Sequence, residues 1–143
     1  MGKTSDGIAA SDWDRVHELA LAMVNTDEPV EEQHHRTDLL NYLDELTAKY
    51  GELPSLLATR ADYVEDPAES ERLLLRAFEA ATRIVDTLNL REIALSLADL
   101  YTTLRPRRVA ARVWLDRARA YLSPDDERSL ADLRRIEKRL DDS

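Results

Sequence analysis

Three separate stretches of the chain place side chains at successive spacings of 4, 3 and 4. They are Leu39, Leu43, Leu46, Tyr50; then Leu74, Phe78, Ala81, Val85; then Ala111, Leu115, Ala118, Leu122. That spacing holds apolar residues on one stripe of an α-helix, whereas a strand would scatter them over both faces. Between the stripes come helix breaks and helix starts rather than hairpin turns. The 143 residues include only Gly2, Gly7 and Gly51, and the five Pro sit near the breaks. No segment alternates with period two for long enough to make a strand. The expected fold class is all-α.

Start and stop signals divide the chain into seven helices. Residues 1–10 carry no periodicity and read as a loose arm. A Ser11 cap with Asp14 three residues on predicts a first helix bearing Trp13, Val16, Ala20 and Met23. The run Asn25 to Pro29 breaks it, and a second helix ends at Gly51, a residue suited to positive φ. Pro54 opens a third helix. Asp66 followed by Pro67 is a cap and first-turn pair for a fourth, running to about Val85. Asn89 with Glu92 predicts the start of a fifth, Pro106 that of a sixth, and Ser123 to Glu127 that of a seventh.

A shift of 37 residues superposes the third and fourth helices on the fifth and sixth. Ala61 falls on Ala98, Asp62 on Asp99, Phe78 on Leu115 and Ala81 on Ala118. Small residues recur where helices must approach closely, and large ones recur where a neighbouring pair must be filled. The reading is one helical-repeat domain over 11–143: a degenerate hairpin (11–51), two repeats (54–87 and 89–122) and a capping helix (124–141). The last helix has a single apolar stripe and a charged face, as the end of a stack requires.

Charge narrows the function. Apolar residues make up 43% of the chain and charged ones 34%, enough to build a core and to keep it dissolved. The net charge is −9 and is unevenly spread. Residues 1–71 hold 17 acids and 5 bases, whereas residues 72–143 hold 12 acids and 15 bases. An acidic half repels nucleic acid and anionic lipid and favours a cationic partner. Cys is absent, which removes thiolate metal sites and a Cys nucleophile. His34 and His35 diverge on a helix, Glu31 with His35 supplies only two ligands, and His17 flanks the Trp13 stripe. Neither a metal nor a cofactor is expected. No Ser, His and Asp order stands out, so the chain reads as a binding protein and not an enzyme. The Arg residues of the last third are interleaved with acids and fit a solvated face better than nucleic-acid contact. The longest apolar run, Leu19 to Val24, falls far short of a membrane span, and no basic region precedes an apolar stretch at the start. A cytoplasmic location is expected.

The pattern resembles the tetratricopeptide repeats over residues 54–122. Ala61 with Val64, and Ala98 with Tyr101, stand where that family has a small residue followed by a bulky one in the first helix. Ala111, Leu115 and Ala118 match its second helix, and Leu74, Phe78 and Ala81 match it except at the first position. The 37-residue period exceeds the family's roughly 34, and no Pro closes either repeat. The resemblance implies a right-handed stack of hairpins whose first helices line a concave face. Counting from Ala61 and Ala98, that face presents Ser55, Ala58, Asp62, Glu65 and Asp66, then Glu92, Leu95, Asp99 and Thr102. It contains no Lys or Arg. The expected partner-binding residues are therefore Asp62, Glu65, Asp66, Glu92, Leu95, Asp99 and Thr102. In size, helical fold and acidity the chain resembles bacterial immunity proteins, which neutralise a cognate toxin. That resemblance implies a basic toxin domain as partner. A tetratricopeptide-like secretion chaperone and a stand-alone repeat scaffold are the alternatives.

Overall fold

The computed structural model describes residues 3–142; residues 1, 2 and 143, at the edges of the arm and the repeat domain, lie outside the described residues. Seven helices follow one another: α1 (Ala10–Val24), α2 (Pro29–Tyr50), α3 (Pro54–Tyr63), α4 (Pro67–Arg83), α5 (Thr87–Leu100), α6 (Arg108–Ala120) and α7 (Glu127–Asp142). No strand occurs among the described residues. None of the helices is long and apolar enough to cross a membrane.

Helices pack chiefly on their chain neighbours. α1 pairs with α2, α3 with α4, and α5 with α6; α2 then meets α3, and α4 meets α5. α3 also touches α5 directly, and α7 closes against α5 and α6. Among the described residues no backbone approach joins α1 or α2 to α5, α6 or α7. The layout is an open series of helix pairs with its two ends apart.

The small residues of the sequence pattern lie in the core, because each lets two helix backbones close in. Ala61, Ala81, Ala98, Ala111 and Ala118 are all buried, with Leu74 and Leu115 filling the space between them. Two apolar clusters result. One gathers Ile8, Val16, Leu19, Leu39, Leu43, Leu46 and Leu56 from the leading pair; the other runs from Leu57 through α4, α5 and α6 to Leu133, Ile136 and Leu140 of α7. Leu56 and Leu57, adjacent on α3, therefore face different cores.

Several boundaries differ from the sequence expectations. α1 begins at Ala10, with Ala9 in the cap position, so the exposed Ser11 caps nothing. Segment 3–9 is docked and not loose. Ile8 is fully buried, and the Asp6 carboxylate accepts the Ser55 amide at 2.7 Å, capping α3 from outside the helix. The Ser5 hydroxyl donates to Asp86 at 2.8 Å and accepts from Asn89, so the segment also reaches α5. α5 starts at Thr87 because Asp86, not Asn89, is its cap: Asp86 accepts the Asn89 amide at 3.1 Å. α6 starts two residues after Pro106, since Arg105 and Arg107 turn back to donate to the carbonyls of Leu100 and Tyr101. α7 starts at Glu127 behind Asp126, which accepts both the amide and the hydroxyl of Ser129. Gly51 and Asp66 act as expected. Gly51 ends α2 at φ 88°, and Asp66 accepts the Ala68 amide at 3.0 Å.

Candidate functional site

α3, α5 and α7 lie side by side and leave a hollow of about 280 Å³ between them. α3 contributes Asp62; α5 contributes Glu92, Leu95, Ser96 and Asp99; α7 contributes Arg128, Asp132, Arg135 and Ile136. Two further hollows adjoin it through Asp62 and Ser96. One opens toward Glu65 and Pro67 at the α3–α4 turn and Leu104 of the α5–α6 connection, and the other toward Trp13, Ser55 and Ala58 under α1. Asp62 stands where the three meet.

The expected binding residues divide by what each side chain does. Asp62 and Glu92 both line the hollow, and among the described residues neither has a hydrogen bond or an ion pair. Leu95 is buried and forms part of the floor. Asp99 lines the wall but is already neutralised, with Arg139 at 2.6 Å and Arg135 at 3.4 Å. Glu65 sits at the far hollow and pairs with Arg36 at 3.4 Å, while Arg36 also donates to the Tyr63 carbonyl at 2.5 Å. The structure does not bring the other two to this surface. Asp66 is occupied as the α4 cap, and Thr102 faces the α5–α6 turn, where it accepts from Arg139 at 3.3 Å.

The anionic patch therefore contracts to Asp62 and Glu92. Both carboxyls are shifted up from ordinary values. For Asp62 the main cause is the crowding of protein around it, followed by the Glu92 charge, and together they push it to about 6. For Glu92 desolvation also dominates, partly offset by Arg91 and Arg128. Water still reaches the Asp62 side chain, so the crowding shields it only in part. Two crowded carboxylates, neither in a hydrogen bond or ion pair of its own among the described residues, favour the approach of a positive group.

α7 brings bases that counting on the repeats left out. Arg128, Asp132, Arg135 and Arg139 follow the same 4, 3, 4 spacing, one residue ahead of the buried stripe Ser129, Leu133, Ile136, Leu140. That polar stripe is legible in the sequence. It turns toward α5 because the adjacent stripe buries against the same helix. Arg91 of α5 completes the attachment, reaching Asp126 at 2.9 Å. One side of the hollow is thus acidic and the other mixed.

Among the described residues no group of three or more His, Asp or Glu side chains is placed to hold a metal ion. What the hollow offers is charge and shape. Comparison with protein families, with curated protein sequences and with solved structures returned no match.

Proposed function

We propose that this chain is a protein-recognition module of tetratricopeptide-like build, and that it acts in the cytoplasm as an immunity protein that binds and neutralises a cognate bacterial toxin. It works by binding and not by catalysis. The observation that carries the reading is the pair Asp62 and Glu92, two carboxylates in one hollow, neither held in an ion pair or hydrogen bond among the described residues. Holding them there costs stability, and a basic partner surface would offset that cost on docking. The acidity of residues 1–71 extends the same field and speeds encounter with a cationic toxin domain. Small size and an open series of helix pairs fit the resemblance to immunity proteins.

A stand-alone scaffold that associates with itself is the second reading. It draws on Leu21, Val24 and Val30, exposed near the α1–α2 turn.

Co-expression with the product of the reading frame immediately upstream tests the proposal. That product alone should arrest growth, and this chain should restore it and co-purify one to one. Asp62→Arg with Glu92→Arg should abolish both effects while the helical circular dichroism stays unchanged. A harmless neighbour overturns the immunity reading. Rescue that survives the charge reversal moves the binding surface away from this hollow.

A further inference from the structure

The hollow under α1 differs from its neighbour in one respect that decides what it can hold. The α3–α5–α7 hollow has Arg128 and Arg135 in its wall, whereas no Lys or Arg lines the smaller one, of about 120 Å³, between α1, α3 and α5. Asp62 and Glu92 border both. On the small side they share the wall with the half-buried ring of Trp13 and with Ser55.

Ser55 is the independent sign of an absent group. Its residue is 7% exposed, and its hydroxyl oxygen is buried with no hydrogen-bond partner among the described residues. A buried hydroxyl left unpaired is costly, and most such groups in folded proteins have a partner. Its position is fixed, because its own amide is held by Asp6 at the start of α3. An aromatic ring, two carboxylates and an unused hydroxyl around one small space suit a ligand with an apolar stem and a positive head.

We propose that this hollow receives a basic side chain of the partner protein, its aliphatic stem along the Trp13 ring and its cationic head beside Asp62 and Glu92, where the Ser55 hydroxyl can accept from it. The proposal rests on the recognition reading above and adds to it the anchor residue. Lysine and arginine share the chemistry required.

Trp13 and Trp114 give the chain two indole N–H signals in a proton–nitrogen spectrum, and Trp13→Phe assigns them. The full chain is titrated with the Nα-acetyl methylamides of lysine, arginine and norleucine. Lysine or arginine should shift the Trp13 signal saturably and leave that of the buried Trp114 still; norleucine, with stem but no charge, should not. Whichever cation binds more tightly names the anchor. Asp62→Asn with Glu92→Gln should weaken it about tenfold to a hundredfold, the worth of charge-assisted hydrogen bonds. A Trp13 signal unmoved by both cations, or moved equally by norleucine, overturns the proposal. So does a double variant that is folded by circular dichroism and binds as before. Its failure is separable from that of the wider reading. If the toxin complex forms and is broken by the charge reversal yet keeps its affinity in Trp13→Ala, recognition stands and the anchor hollow falls.

Discussion

Crowding by the walls of the hollow, and then the charge of Glu92, push the Asp62 carboxyl up to about 6 from its ordinary 3.8. The groups arrayed around it are Glu92 and Asp99 from α5, with Arg128, Asp132 and Arg135 from α7. Its folded-state affinity for a proton thus exceeds its unfolded-state affinity. Between about pH 4 and 6 the folded chain holds more protons at this site than the unfolded one, so stability from Asp62 falls as pH rises through that window. Asp62→Asn removes the loss. The variant should melt about 1–3 °C above the parent at pH 7.5 and no higher at pH 4, the gain kept small because water reaches and screens the carboxylate. Thermal melts at the two pH values check this, and a gain equal at both would exclude the titration as its cause. Asp99 teaches the converse. Its place at the repeat period marks it as the partner of Asp62, but the sequence of α5 alone could not show that Arg135 and Arg139, thirty-six and forty residues on, would neutralise it.

At the scale of elements, helix starts were legible wherever a side chain caps its own helix in the usual order. Asp66 with Pro67 is such a case. They are obscured where the cap lies a few residues upstream of a second plausible one, as with Asp86 and Asn89; at α3 Pro54 marks the start correctly, and only its cap, Asp6 from another segment, is hidden from the local sequence. The end of α4 was hidden for a different reason. Its 4, 3, 4 stripe continues in sequence to Val85, but the helix stops at Arg83 and Val85 turns to φ 54°. The Asp86 amide donates to the Ala81 carbonyl and the Val85 amide to that of Thr82, the paired bonds of a Schellman ending. Glycine normally takes that left-handed position, so a β-branched residue there gives no stop signal. It also costs about 1–2 kcal/mol of backbone strain. Val85 is 76% exposed, so its side chain contributes little packing. Val85→Gly should relieve the strain and give back part of the gain to a freer unfolded chain, for a net stabilisation of about 0.5–1 kcal/mol. Urea unfolding checks it; a loss of stability would mean that the valine side chain holds the α4–α5 turn in place.

For the whole molecule, the two apolar clusters raise the question of how many units unfold. Packing proceeds from neighbour to neighbour, and in such series stability is carried by each unit and by the interfaces between them. The leading cluster is joined to the rest through α3, whose Leu56 faces one core and Leu57 the other, and through segment 3–9, whose Ser5 reaches Asp86. The second cluster, by contrast, is continuous across α3 to α7 and is further tied by Arg91 with Asp126 and Arg139 with Asp99. The joint is therefore narrower than either body, and the leading pair should open without the rest. Leu43 is fully buried in the leading cluster, so Leu43→Ala should cost about 2–5 kcal/mol there. Native-state amide exchange of this variant should quicken across α1 and α2 and stay near the parent's rate in α5, α6 and α7, because a local opening reports the stability of its own unit. Acceleration of equal size through α7 would show that α3 and the docked segment bind the halves into one cooperative unit. The hollow under α1, built from both halves, would then be as rigid as the core of either.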